Sequence, residues 1–324
     1  MPEINQERFR LLVKICQLYY EDGLNQLDIA KRLGISRPHV SRMLTAAKNE
    51  GIVRISIQNP FSSEQELEKC FIETFGIQDA LIVDSAETDP NKLRAQLGRT
   101  SAPLIESVLM DGDIVGVMAG RTVASVAEEL DYFAREGLQF VPMVGGWGSE
   151  GGAWHASSNT MAFANKLKAK YWMMHAPARV AHAETGALLR QEPEIDKVLQ
   201  LAQISRVAII SIGEVSEQAT MVESGNMSRA DVSALEALGA VANLCASFMD
   251  QNGREIDFPE KNKYIGMTAK ELRAIPNVIG IAGGVHKVKA ITAALRGKWI
   301  DTLVTDAATA RAVIEFHRTH GTSK

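Results

Sequence analysis

Lys287 stands three residues past the pair Gly283-Gly284, and Arg121-Thr122 follow directly on Gly120 in the run Gly116-Val117-Met118-Ala119-Gly120-Arg121-Thr122. Glycine lets a backbone approach a ligand closely, and a cation or hydroxyl just inside a helix start adds charge and donors to unsatisfied amides. That combination holds an anion and does not by itself break a bond. Val144-Gly145-Gly146-Trp147-Gly148 is a third loop of this kind. A second set, Arg37, His39, Ser41 and Arg42, falls within six residues. Each arginine can fork onto guanine or hold a phosphate, and the residues between them are short donors. Groups suited to acid–base or metal chemistry are more scattered. Glu184, Glu214 and Asp306 lie far apart, His182-Ala183-Glu184 and His317 with His320 are only loosely metal-like, and neither GxSxG nor HExxH is present. The sequence therefore predicts no catalytic residue, no metal site and no cofactor.

The elements that place the first set are short helices. Phe9, Leu12, Ile15, Cys16 and Tyr19 recur at helical spacing and predict a helix over 7–21, stopped at Asp22-Gly23. A second helix over 26–33 has Leu27, Ile29, Ala30 and Leu33 as its expected buried face and ends at Gly34. Ser36 can cap a third, with Pro38 tolerated in its first turn, running to about residue 50. Two helices joined through Gly34-Ile35-Ser36 form a helix-turn-helix, whose second helix enters the major groove. After Gly51, the alternating run Ile52-Val53-Arg54-Ile55-Ser56-Ile57 predicts the strand of a wing, with Arg54 facing out. Gln26, Ser36, Arg37, His39, Ser41, Arg42 and Arg54 are the expected DNA contacts.

Length and charge agree with that division. At 324 residues the chain has room for about two domains, and its 46% hydrophobic and 23% charged residues exclude wholesale disorder. Residues 1–60 carry nine Lys and Arg against six Asp and Glu, or +3, so the remainder of a chain of net charge −4 carries −7. A basic unit on an acidic body fits a polyanion partner for the first part alone. No apolar run is long enough for a membrane span and no signal segment opens the chain. Cys16, Cys70 and Cys245 form no CxxC pair, which points to a reducing cytoplasm.

Asn59-Pro60-Phe61-Ser62-Ser63 marks a break, followed by a helix bearing Leu67, Cys70, Phe71 and Phe75. The expected organisation is a winged helix-turn-helix over 1–58, a linker helix over 59–76 and an α/β domain over 77–324. In the last, strands at 80–83, 114–118, 139–144, 171–174, 207–212, 278–282 and 302–304 alternate with helices. Nearly continuous apolar strands predict a doubly wound, mostly parallel sheet. Ligands of such sheets sit beyond the carboxyl ends of the strands, where the three glycine loops fall. Gly146-Trp147-Gly148-Ser149-Glu150-Gly151 satisfies GxGxxG, yet the strand after it ends in His175-Ala176-Pro177 without the acid a ribose needs, and Trp147 crowds the approach. A dinucleotide is not expected.

From Tyr19-Tyr20 through Gly34-Ile35-Ser36-Arg37-Pro38-His39-Val40-Ser41-Arg42-Met43-Leu44 to Gly51-Ile52-Val53, the chain resembles the SorC-type (SorC/DeoR sugar-binding) transcriptional regulators. The likeness continues through Asp111-Gly112-Asp113-Ile114-Val115-Gly116-Val117, Gly145-Gly146, Gly239-Ala240-Val241 with Phe248-Met249-Asp250, and Ala282-Gly283-Gly284 with Lys287, Gly297, Thr305-Asp306 and Ala310. The resemblance implies an effector domain akin to phosphosugar isomerases. It also implies a homotetramer, a dimer of dimers, whose affinity for double-stranded operator DNA responds to a sugar, polyol or sugar phosphate. On it, Gly120, Arg121, Thr122 and Lys287 would hold phosphate, and Asn159 and Asn243 would face hydroxyls, with Gly145, Gly146, Gly283 and Gly284 in the same site. Two departures stand out: Ala242-Asn243 where the family usually has Gly-Asp, and Met118-Ala119-Gly120 where it usually has Ser-Trp-Gly. Both imply an unusual ligand. An isomerase-like enzyme fused to a DNA reader is the alternative, but Asn243 replaces its most suitable base.

Overall fold

The computed structural model describes residues 6–50, 52–53, 62–85, 87, 89–146, 152, 154–223, 225 and 227–321. Two compact units divide it, Met1–Pro60 and Phe61–Lys324. In the first, helix α1 (Gln6–Cys16) runs into a π-helical turn (Gln17–Glu21), then α2 (Gln26–Leu33) and α3 (Arg37–Asn49) follow. The cap of α2 is Asn25, whose side chain accepts from the Leu27 and Asp28 amides, and Gly34 closes it at a left-handed φ of 67°. Leu12, Ile15, Ile29, Val40, Leu44 and Ala47 form the small core. Leu27 and Phe9, expected inside, are exposed at 52% and 42%. Leu27 lies in the capped first turn of α2, one position off the Ile29–Ala30 face. The expected wing strand lies mostly outside the described residues, Arg54 included; Ile52 and Val53 form a bend whose amides both reach the Ala47 carbonyl.

The second unit begins with α4 (Ser62–Phe75), β1 (Asp79–Val83), α5 (Pro90–Val108), β2 (Ile114–Val117), α6 (Arg121–Glu129), β3 (Gln139–Pro142), α7 (Ala156–Leu167) and β4 (Lys170–Tyr171). Next come α8 (Ala183–Gln191), α9 (Pro193–Gln203), β5 (Val207–Ser211), β6 (Gly213–Glu214), α10 (Thr220–Glu223), α11 (Arg229–Ala237), β7 (Ala240–Leu244) and β8 (Ser247–Asp250). The chain ends with α12 (Ala269–Leu272), β9 (Asn277–Ile281), α13 (Val288–Arg296), β10 (Thr302–Asp306) and α14 (Ala307–Thr319). Seven strands pair in the order β1-β10-β9-β5-β2-β3-β4, all parallel. Alternation along β5 explains the two cores. Val207 and Ile209 face one cluster, with Leu97, Val123 and Phe163 from α5, α6 and α7. Ala208 and Ile210 face the other, with Phe71, Leu199, Ile291 and Val313 from α4, α9, α13 and α14. This is the doubly wound α/β arrangement that the apolar strands predict.

Two features depart from the sequence reading. The strand expected at 171–174 is only the edge pair Lys170–Tyr171, because the chain turns away so that the Ala176 carbonyl can accept the Gly146 amide at 2.9 Å. A separate antiparallel sheet, β6-β7-β8, was not expected. Its strands, Ala240-Val241-Ala242-Asn243-Leu244 and Ser247-Phe248-Met249-Asp250, have few β-branched residues to signal them.

At the amino ends of β2 and β5, Arg206 forks onto the buried Asp113, with Nε to Oδ1 at 2.5 Å and Nη2 to Oδ2, while the Met110 amide adds a donor at 2.7 Å. Burial alone would raise the Asp113 carboxyl, but these partners together hold it below the usual range. Asp113→Ala is expected to cost about 2 kcal/mol in urea unfolding at pH 7. A depressed folded pKa contributes stability above the unfolded value of about 3.9 and loses it as pH falls further. The wild-type advantage should therefore shrink towards pH 3; a gap independent of pH would show that the ion pair is not its source.

Candidate functional site

In the first unit Ser36 accepts from the His39 amide at 3.3 Å and caps α3. Arg37, Ser41 and Arg42 are exposed, His39 and Gln26 half-buried. Buried Val40, Met43, Leu44 and Ala47 occupy the opposite face of α3, so one face packs and the other is polar. Arg8 reaches Glu50 at 2.6 Å and ties α1 to the residue capping α3. Six of the seven expected DNA contacts thus sit on or beside the α2–α3 corner, and Arg54 lies outside the described residues.

In the second unit the chain steps outward from β2 to β3 and β4, then returns to β5 and proceeds the other way to β9 and β10. The reversal opens a crevice between β2 and β5, where ligands of such sheets bind. Two chambers occupy it, of about 450 and 330 Å³. The larger is walled by Met118 to Thr122 after β2, Ser211 to Glu214 after β5, Asn243, Trp154 and a strap containing Gln218, Thr220 and Glu223. The smaller lies between the first turns of α5, the Gly283-Gly284-Val285 loop, Asp306 and Ala308. Pro90, Arg94, Thr122, His286 and Lys287 line both and form the waist between them.

Of the ten effector residues expected, Gly120, Arg121, Thr122, Asn243, Gly283, Gly284 and Lys287 line these chambers. Gly120 has a φ of 137°, and a Cβ there would come within 2.5 Å of Ser211 Oγ, so no side chain fits. Its amide is already given to the Trp154 carbonyl at 2.8 Å. The Gly284 amide is likewise taken, by Asp306 Oδ2 at 2.9 Å and Thr309 Oγ1 at 2.8 Å. Asp306 also caps α14 through the Thr309 amide. Lys287 is half-buried, and its Nζ donates to the Ile212 carbonyl at 3.0 Å. Burial draws its ammonium below the ordinary lysine value, against the opposing pull of Glu214.

Gly145, Gly146 and Asn159 are not brought into the chambers. Gly145 packs against the Ala176–Pro177 backbone, where a Cβ would stand 2.6 Å from carbonyl atoms, and Gly146 bridges to Pro177. Both glycines let their strand end pack closely on the 176–177 segment. Asn159 is fully buried and gives Nδ2 to the carbonyls of Met118, Gly120 and Trp154, so it builds the wall of the cavity without facing it. Arg94, Glu214 and Trp154 line the cavity and were not singled out as binding residues. Glu214 follows the apolar strand β5 by three residues, a position at which polar side chains meet ligands; Arg94 sits in the first turns of α5 and gives no local sign. Among the described residues no group of three His, Cys, Asp or Glu could hold a metal ion, and no helix is long and apolar enough to cross a membrane.

A capped helix pair with one polar face, joined to a parallel α/β unit with a crevice at its strand reversal, is the build of a DNA-binding regulator with a small-molecule domain. Residues 59–315 match the family described as "Putative sugar-binding domain", and 15–54 match a winged helix-turn-helix DNA-binding family. The chain is 31% identical to the transcriptional regulator LsrR of Klebsiella pneumoniae, across 94% of this chain and 92% of that one. It is 28% identical to the deoxyribonucleoside regulator of Bacillus subtilis, across 96% and 99%. The crystal structure of the full-length sorbitol operon regulator SorC from Klebsiella pneumoniae is similar at a TM-score of 0.74 and 29% identity, covering 94% of this chain and 98% of that one. The chain belongs to the SorC-type family of sugar-binding transcriptional regulators.

Proposed function

We propose that this chain is a cytoplasmic regulator of carbohydrate or polyol catabolism, acting as a homotetramer whose grip on double-stranded operator DNA is set by a sugar, polyol or sugar phosphate. Arg37, His39, Ser41 and Arg42, with Gln26, Ser36 and Arg54, contact DNA; the effector sits among Gly120, Arg121, Thr122, Asn243, Gly283, Gly284 and Lys287. The observation that carries the reading is the two-chambered crevice at the strand reversal of a sugar-binding unit, lined by Lys287, Thr122 and Asn243. The relatives bear the names of a sorbitol operon regulator and a deoxyribonucleoside regulator, which favours a carbohydrate effector. Two points favour binding over catalysis. Asp306 is saturated by Thr309 and Gly284, and the position of the family's acid is held by Asn243, which cannot accept the proton that isomerisation moves.

The test is fluorescence-anisotropy titration of the full chain onto operator fragments with and without sugars, polyols and their phosphates. One effector should change DNA affinity about 5- to 150-fold, the usual range of allosteric coupling. No change with any of them, or turnover of a sugar phosphate, would reject the reading. Within the same assay, Arg37→Ala and Arg42→Ala are each expected to cost roughly 1–3 kcal/mol. A base contact should relax preference at one operator position; a phosphate contact should weaken all sequences alike and flatten the salt slope. Unchanged affinity in both variants would remove α3 from the interface.

A further inference from the structure

Helix α4 opens the second unit and covers the edge strand β1, where Glu68 Oε1 accepts the Ile82 amide at 2.9 Å. Phe71 and Phe75 are buried beneath it, and the Phe75 ring meets His317 of α14 at 4.7 Å between centroids. The two helices do not close along their outer side. A groove of about 440 Å³ runs between them, with Leu67, Cys70 and Ile314 as its floor and Arg311, Glu315 and Arg318 along the α14 rim. The inner face of α4 fixes the helix, so its outer stripe has no part in the core.

That stripe is Glu66, Lys69, Cys70 and Glu73, the charged three exposed and the thiol half-buried. On α14 the exposed charges are Arg311, Glu315 and Arg318. From 66 upward the first stripe runs acid, base, thiol, acid at offsets 0, 3, 4 and 7; from 318 downward the second runs base, acid, isoleucine, base at the same offsets. Seven residues are two helical turns, about 10.5 Å, so the outer pairs fall in register when the helices lie antiparallel. One chain cannot make these pairs. Its own α4 and α14 run in the same sense, with Glu64 in the field of Arg311 near one end and Phe75 against His317 near the other. Within the chain Lys69 and Glu73 form an exposed pair at 3.7 Å, Ser63 and Arg311 answer the charge of Glu64, and among the described residues Glu66 and Arg318 form no ion pair. The α4 stripe sums to −1 and the α14 stripe to +1, so either would repel its own copy and each suits the other.

We propose that α4 docks in the α4–α14 groove of a second copy of this chain, antiparallel about a two-fold axis near Cys70. Glu66 then lies opposite Arg318 of that copy, Lys69 opposite Glu315 and Glu73 opposite Arg311, while Leu67, Cys70 and Ile314 are covered. A two-fold contact uses each pair twice, so one complementary set of stripes serves both chains. A second copy carries the matching pattern by construction, which is what selects it as the occupant. This rests on the homotetramer reading above and names one of its surfaces.

The test is the mass of the full chain by sedimentation and light scattering, for single variants and for their mixture. Glu66→Arg and Arg318→Glu each set like charges in both halves of the contact, so each should dissociate to half the wild-type mass about tenfold more readily. Mixed in equal amounts they should regain the wild-type mass, because the introduced arginine faces the introduced glutamate and the native pair forms in the other half. Two misfolded variants could not restore each other, so the mixture separates lost docking from lost folding. Cys70 is the one cysteine of three that is not buried. A short bifunctional maleimide should therefore give a covalent dimer in wild type, less in either variant and none in Cys70→Ser. Wild-type mass in both variants, no recovery in the mixture, or cross-linking that survives Cys70→Ser would overturn this surface and leave an oligomeric regulator standing. A monomeric wild-type chain would overturn the surface and the tetramer together.

Discussion

Asn159→Leu is expected to lower the stability of the second unit by about 3 kcal/mol and to abolish the effector response, although Asn159 does not line the cavity. Its Nδ2 donates to the carbonyls of Met118 at 3.0 Å, Gly120 at 3.2 Å and Trp154 at 3.4 Å. These carbonyls belong to the turn between β2 and α6 and to the segment entering α7. Leucine has similar volume but no donor, so the Met118 carbonyl would lose its partner in a dry interior at a cost of about 1–3 kcal/mol, while the Gly120 and Trp154 carbonyls would keep the Ala124 and Gly120 amides and lose one donor of two. The Gly120 amide to Trp154 and the Ser211 hydroxyl to Ala119 would remain, which limits the loss. Tm should fall by roughly 5 to 10 °C. The turn that carries Gly120, Arg121 and Thr122 would lose its anchor, so effector binding should weaken along with stability. DNA binding by the first unit should persist below the new Tm. A loss under 1 kcal/mol, or a normal effector response, would show that the turn holds its shape without this amide.

The sequence made the scaffold more legible than the residues that wall the cavity. Val207-Ala208-Ile209-Ile210 announces a strand buried on both faces because every position is apolar. Gly34 and Ser36 announce the corner between α2 and α3 through backbone chemistry that few other residues satisfy. The glycine loops were harder. Gly120 and Gly145 look alike in sequence, yet one stands at the cavity and the other against Pro177, and only the fold says which backbone approaches. Asn159 could not be read as a wall-builder because its three acceptors are brought to it by β2 and the 154–155 turn. Arg94 lies on a helix whose periodicity explains Leu93 and Leu97 but leaves an arginine between them looking like any solvated charge. Local pattern encodes elements; convergence of elements encodes the site.

At position 243, where the family pattern leads one to expect aspartate, Asn243→Asp should cost about 3 kcal/mol at pH 8 and much less at pH 4. The amide is committed. Asn243 Nδ2 donates to the carbonyls of Cys245 at 3.2 Å and Ser247 at 3.0 Å, closing the turn between β7 and β8. That turn holds Cys245 in a left-handed conformation with φ 53°, which a non-glycine residue adopts only with support. Oδ1 lies beside Gly213, and the residue lines the larger cavity. A carboxylate in the same place would set negative oxygen against two carbonyls, a loss larger than that of an ordinary hydrogen bond. The protonated acid can donate to one of them, so the folded pKa of this aspartate should rise above its unfolded value of about 3.9. The penalty is then small below that value, grows as pH rises towards the folded pKa and is constant above it. The new charge would also stand next to Glu214, which pairs with Ala242 across the sheet, and would repel an anion at the waist. The affinity for an anionic effector should therefore fall at pH 8 in the variant that still folds. Equal stability of variant and wild type at pH 8 would mean that the aspartate turns into the cavity, and that the family's acid and this asparagine serve the ligand from different rotamers.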